Sequence, residues 1–225
     1  MKVLWLYDID GTILSTEGAG RASMGQAFEQ CFGVSDAFAG LSFAGATDSG
    51  ITGQAFAAAG LAQQQGRLRA AYLPLLSGRL LQQAPSLCPG IHSLLPRTAQ
   101  AGHNALLTGN WRAGARIKLE ALTLAAHFER DERLLGAFGD DAADRNLLVP
   151  IAEAQARAAG LVFDRTVVIG DTPRDVECAR AGNALAVAVC TGWSSREELH
   201  ASSADLLLEN LVVGADALLD LVRRS

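Results

Sequence analysis

Two kinds of apolar spacing alternate along this chain. Short, mostly apolar stretches at Val3–Tyr7 and at residues 105–107, 166–169, 184–189 and 205–208 predict strands buried on both faces. Helical spacing fills residues 111–128, 147–159 and Pro173–Ala181. Such alternation predicts an α/β fold, a three-layer arrangement with a central parallel sheet and helices on both sides. Residues 16–85 break the rhythm, being rich in Ala, Gly and Gln with no convincing strand. Helices are expected there over 21–32, 51–59 and 67–83, the last interrupted near Pro74. Leu87-Cys88-Pro89-Gly90 punctuates the return to the alternating pattern. Residues 16–85 therefore read as a helical insertion between residues 1–15 and 86–225.

Composition supports one large domain with a smaller insertion. The 225 residues are 49% hydrophobic and 19% charged, enough for a sizeable core, and this excludes a disordered chain. A net charge of −5 provides no basic surplus for phosphate backbones, so no nucleic-acid partner is expected. No apolar run approaches the roughly 18 residues of a membrane span, and the apolar start is too short for a signal peptide. Cys31, Cys88, Cys178 and Cys190 lack CxxC spacing, which points to free thiols in a reducing cytoplasm. The four histidines are scattered without the spacing of metal ligands.

Chemistry gathers at strand ends. Asp8-Ile9-Asp10-Gly11-Thr12 follows the first strand, and Gly170-Asp171-Thr172-Pro173-Arg174-Asp175 follows a later one. Ligands of open parallel sheets collect beyond the carboxyl ends of their strands. Thr172, Pro173 and Asp175 suit the cap, first and third positions of a helix, a role that accounts for Asp175 but not for Asp171. Four carboxylates, two after each of two strands, would repel one another unless a cation sat among them, and hard oxygen donors suit Mg²⁺. Leu106-Leu107-Thr108-Gly109-Asn110 lies between the clusters. There Thr108 and the amides of Gly109 and Asn110 are candidates to hold phosphate oxygens.

With these motifs in order, the chain resembles the haloacid dehalogenase-like hydrolase superfamily, particularly its phosphoglycolate phosphatase-like branch. Asp8 to Thr12 look like its first motif, Thr108 like the second and Gly170 to Asp175 like the fourth. The resemblance implies a Rossmann-like three-layer core, with residues 16–85 as a helical cap domain. The third motif is less clear, because the family's Lys-Pro pair is absent. Spacing selects Arg145, in Asp144-Arg145-Asn146, as the basic residue; Lys118 is the rival, read otherwise as a solvated lysine on a helix.

The resemblance further implies an Mg²⁺-dependent phosphatase acting on a small phosphorylated metabolite. Asp8 would attack phosphorus and Asp10 would serve as acid and base. Asp8, the Asp10 main-chain carbonyl and Asp171 would bind the metal, with Asp175 supporting it. Thr108 and Arg145 would stabilise the phosphoryl group. A carboxylate at Asp10 speaks against dehalogenases and phosphonate-cleaving relatives. A sugar phosphomutase remains an alternative, as does a silent Mg²⁺-binding interaction protein. Gly18-Ala19-Gly20 lacks the third glycine of a dinucleotide fingerprint. Within the insertion, Thr47 and Asp48 in Gly45-Ala46-Thr47-Asp48 are candidates to read the leaving group, though the tetrapeptide reads first as a surface turn. Arg21 is a candidate to meet an anionic substituent.

Overall fold

A computed structural model describes residues 1–224. Strand β1 (Val3–Tyr7) leads to the short β2 (Leu14–Ser15), and α1 (Ala19–Phe32), α2 (Asp48–Ala58) and α3 (Gln65–Gln82) follow. The chain returns through β3 (Ser86–Leu87), which pairs antiparallel with β2. Next come α4 (Ile91–Ala101), β4 (Gly102–Leu107) and α5 (Arg112–Glu120). A small hairpin of β5 (Glu129–Arg130) and β6 (Arg133–Leu134) precedes β7 (Gly136–Ala137) and α6 (Leu148–Ala158). The chain ends with β8 (Arg165–Gly170), α7 (Pro173–Ala181), β9 (Leu185–Val189), α8 (Arg196–Ala201), β10 (Leu206–Leu208) and α9 (Leu211–Arg224).

Six strands form one parallel sheet in the order β10-β9-β8-β1-β4-β7. Tyr7 is level with Leu106 on one side and Ile169 on the other, so β1, β4 and β8 end together. The strand order reverses at β1, where open α/β sheets open a crevice. Alternation along β1 explains the layers. Val3, Trp5 and Tyr7 pack with Leu94, Leu119 and Leu218, while Leu4 and Leu6 pack with Val149, Ala152 and Val176. The expected central parallel sheet with helices on both faces is what the chain forms.

Helices α1–α3 gather round an apolar cluster of their own, which includes Met24, Phe28, Ile51, Phe56 and Tyr72. Trp111, just before α5, joins that cluster and meets Tyr72 edge-on at 5.7 Å between ring centroids. Among the described residues, no helix is long and apolar enough to cross a membrane.

Three expectations change. The helix expected over 111–128 stops at Glu120, and Thr123 takes a left-handed φ of 56° before a 3-10 turn at Ala125–Phe128. Helical spacing persisted in the sequence because Leu119, Leu124 and Phe128 still face one cluster. Pro74 does not interrupt α3, which runs through it. One missing N–H is a local loss, and burial of Leu68, Tyr72, Leu76 and Leu80 along one stripe offsets it. Strand β7 and helices α4, α8 and α9 were not foreseen.

Candidate active site

Asp8 is the first residue beyond β1, and its amide donates to Ile169 O at 2.9 Å. The chain then turns at Gly11, whose φ is 82°. A Cβ on Gly11 would lie 2.5 Å from Asp171 Oδ2, so only glycine permits this approach. Asp171 directly follows β8; its Oδ1 accepts from Thr12 Oγ1 at 3.3 Å and its Oδ2 from the Trp193 amide at 3.1 Å. Asp175 sits in the first turn of α7, where its Oδ2 accepts from Thr172 N at 3.0 Å and Thr172 Oγ1 at 2.7 Å. One oxygen from each of Asp8, Asp171 and Asp175 lies within 4.8 Å of the others, all three residues being buried. Burial pushes the Asp8 carboxyl up to about 6 even though Arg145 works in the opposite direction. Burial, reinforced by Asp175 and Asp8, raises Asp171 well above the usual carboxylate range. This set of clustered, hard, partly uncompensated oxygens fits a divalent cation.

Arg145 opens a 3-10 turn at Arg145–Leu147 that Asp144 caps. Its buried guanidinium donates to Asp175 Oδ1 and comes within 3.4 Å of Asp8 Oδ1. Main-chain carbonyls of Gly45 and Leu107 also accept from it, each at 3.4 Å. Burial acts to lower its pKa, but Asp175 and Asp8 more than reverse that, so it stays charged.

Asp10 lies outside that three-carboxylate cluster. Its Oδ2 accepts from Lys118 Nζ at 2.5 Å and from Asn110 Nδ2 at 2.8 Å. Lys118 Nζ also donates to Asn110 Oδ1 at 2.6 Å. Lys118 is only 3% exposed, which overturns its reading as a solvated helical lysine. The buried face of α5 comprises Gly114, Ala115, Lys118 and Leu119, and that three- and four-residue spacing was the available signal.

Thr108, fully buried at the end of β4, accepts at Oγ1 from Asn110 Nδ2 at 2.8 Å and from Asn110 N at 3.3 Å. The Asn110 amide thus turns back to Thr108. A Cβ on Gly109 would meet Ala46 O at 1.9 Å, because the helical segment crosses this loop in direct contact.

That contact corrects the surface-turn reading of Gly45 to Asp48. Thr47 is buried, accepts from Gly50 N at 3.0 Å as the cap of α2, and donates to Ala143 O at 2.6 Å. Asp48 N donates to Gly109 O at 2.7 Å, and Asp48 Oδ2 accepts from the Trp111 amide at 2.7 Å. Burial pushes the Asp48 carboxyl up to about 6. Ser49 Oγ accepts from Trp111 Nε1 at 3.0 Å and donates to Gly139 O. The start of α2 is stitched to the loops after β4 and β7.

Between these parts lies a cavity of about 440 Å³. Asp8, Asp10, Asp171, Lys118 and Arg145 line its polar side. Met24, Phe43, Ile51 and Tyr72 line it from the helical segment, with Asp48 and Arg21 among them, whereas Thr47 does not reach it. Arg21 donates to Phe38 O at 3.4 Å and lies over the Phe43 ring, 5.1 Å from its centroid.

A family model for haloacid dehalogenase-like hydrolases matches residues 5–180, and an overlapping HAD-hydrolase-like model matches residues 148–213. No curated protein matches the chain significantly. Among solved structures, a hydrolase from Pseudomonas syringae is similar at 21% identity and a TM-score of 0.72, covering 98% of this chain and 99% of that one. CbbY from Rhodobacter sphaeroides, solved in complex with phosphate, shares 18% identity at a TM-score of 0.70, covering 95% and 96%. A putative beta-phosphoglucomutase from Thermotoga maritima shares 16% identity at a TM-score of 0.62, covering 99% and 100%. At these identities the likeness is one of fold. The long family match, with strand ends that carry Asp8 and Asp171, makes this chain a member of the haloacid dehalogenase-like hydrolase family.

Proposed function

We propose that the protein is an Mg²⁺-dependent phosphatase that hydrolyses a small phosphorylated metabolite through an aspartyl-phosphate on Asp8. The observation that carries this reading is the separation of two aspartates by their surroundings. Asp8 lies buried beside Arg145 within the carboxylate cluster, while Asp10, two residues on, faces the same cavity with its own cation. One carboxylate is placed to attack and the other to move protons.

An Asp8 oxygen attacks phosphorus, and the bond from phosphorus to the leaving oxygen breaks as Asp10 gives that oxygen its proton. Asp10 then takes a proton from the water that attacks the phosphorus of the aspartyl-phosphate. Inorganic phosphate leaves and the Asp8 carboxylate is restored. Arg145, the Thr108 hydroxyl and the Gly109 amide stabilise the charge on the transferring group. Asp8, Asp171 and the Asp10 main-chain carbonyl would hold Mg²⁺, with Asp175 in support; there it would neutralise phosphoryl charge and polarise phosphorus. Asp175 is engaged at both oxygens by Arg145 and Thr172, which suits orientation better than direct ligation.

Residues 16–85 act in this reading as a cap on a catalytic body of residues 1–15 and 86–225, hinged at the β2–β3 ribbon. Asp48 and Arg21 face the leaving group from the cap, while Thr47 spends its hydroxyl on the α2 cap and Ala143. Free cysteines are compatible with a cytoplasmic protein.

Hydrolysis of p-nitrophenyl phosphate tests the reading. Activity should be lost in Asp8→Asn, by at least about 10⁴-fold for a nucleophile, and after exhaustive EDTA treatment, with recovery on adding Mg²⁺. Full turnover in either condition would refute it. Product analysis with a hexose 1-phosphate separates hydrolysis from a phosphomutase, which would return the 6-phosphate.

A further inference from the structure

We infer that Lys118 is a positioning residue that, together with Asn110, locks the Asp10 carboxylate and leaves its Oδ1 as the proton-carrying oxygen. The inference rests on the proposed acid–base role of Asp10. A buried ammonium is costly unless paired and hydrogen-bonded, and Lys118 has both kinds of partner in Asp10 Oδ2 and Asn110 Oδ1. Asn110 closes the triangle by donating Nδ2 to the same Asp10 oxygen, at 2.8 Å, and to Thr108 Oγ1. Thr108, Asn110, Asp10 and Lys118 thus form one connected network, in which moving one member disturbs the rest.

The two strong donors converge on one oxygen. Oδ2 takes Lys118 and Asn110, whereas Oδ1 has only the long 3.5 Å contact from Thr16 Oγ1 among the hydrogen bonds of the described residues. An oxygen that accepts from an ammonium and an amide is a poor place for a proton. Oδ1 is thereby the oxygen left to pass a proton to the leaving oxygen, its O–H bond breaking in that step. Arg145 cannot substitute for Lys118, because its guanidinium is committed to Asp8, Asp175 and two main-chain carbonyls. The side chain also bridges two regions. A Cβ on Gly20 of α1 would lie 3.5 Å from Lys118 Nζ, and 3.8 Å from the Tyr72 hydroxyl of α3.

The test compares wild type, Lys118→Met, Asp10→Asn and the double variant on two esters. The leaving group of p-nitrophenyl phosphate departs without a proton, and that of an alkyl phosphate needs one. Single-turnover rates read the first step. Lys118→Met should slow alkyl phosphate cleavage by about 10²-fold, within the range of positioned acid catalysis, with little change in KM. The first step with p-nitrophenyl phosphate should be nearly unaffected. In the Asp10→Asn background the same substitution should add little, since interacting groups are non-additive. Equal losses on both esters, or losses that multiply in the double variant, would overturn the inference. Lys118→Gln, which keeps a donor, should fall between wild type and Lys118→Met. Its melting curve, beside that of Lys118→Met, separates a folding defect from lost positioning. A wild-type enzyme that cleaves neither ester would refute the proposed function and this inference together; an active wild type with the wrong pattern would refute only the inference.

Discussion

Arg145 and Lys118 are buried cations lining the same cavity, yet they are supported by different parts of the molecule. Arg145 comes from a turn after β7 and is held by Asp8, Asp175 and the carbonyl of Leu107, all in the sheet body. Among the hydrogen bonds of the described residues, only the one to Gly45 O ties it to the helical segment. Lys118 comes from α5, a helix that packs on α3, and Ile117 beside it joins the cluster of the helical segment. The Asp8 end of the site is therefore built by the sheet, and the Asp10 end is shared with the helices. Two cations of similar burial thus differ in what would disturb them.

The largest effect that separates the two ends should come from Asp10→Asn. This change should slow the first step, read in single turnovers, by about 10²–10⁴-fold on alkyl phosphates and much less on esters whose leaving group needs no proton. Equal losses on both classes would erase the distinction between the ends. Arg145→Lys keeps a charge near Asp8 and Asp175 but not the planar fork, and should cost about 10²–10³-fold on every ester alike, as for a charge-stabilising donor. A leaving-group dependence in that variant would mean that Arg145 also serves Asp10.

The smallest effect concerns the join between the two regions. Burial pushes Asp48 up to about 6, so the folded chain holds this proton more tightly than the unfolded chain does. Its contribution to stability accordingly falls as pH rises from about 4 to about 6 and remains lower above that. Asp48→Asn retains an acceptor for the Trp111 amide and should raise the melting temperature at pH 7 while leaving it nearly unchanged at pH 4. A lower melting temperature at pH 7 would show that the negative charge stabilises this contact.

The sheet was legible in the sequence because β1, β4, β8 and β9 are largely buried on both faces and each contains a short apolar run. Asp8 and Asp171 were legible for the same reason, since Asp8 directly follows such a run and Asp171 follows one after Gly170. Strand β7 was not, because Gly136 and Ala137 are too short a run to carry a pattern. Lys118 was misread because one lysine on a helix resembles any solvated lysine. Its burial is decided by Asp10, far away in sequence, which the fold brings beside it. Thr47 and Asp48 were misread likewise: their residue types suit a surface turn, and only the passage of Ala46 over Gly109 encloses them.

The placement of the three tryptophans gives the molecule an optical gauge. Trp5 lies fully buried in the sheet and Trp193 is 70% exposed at the cavity rim. Trp111, also fully buried, has its ring among the helices and its main chain on the sheet body, with Nε1 bonded to Ser49. Any parting of the two regions would wet that ring alone and redden its emission. With Trp5 and Trp193 replaced by phenylalanine, a single intrinsic fluorophore would follow separation and re-closure in real time, without an attached dye.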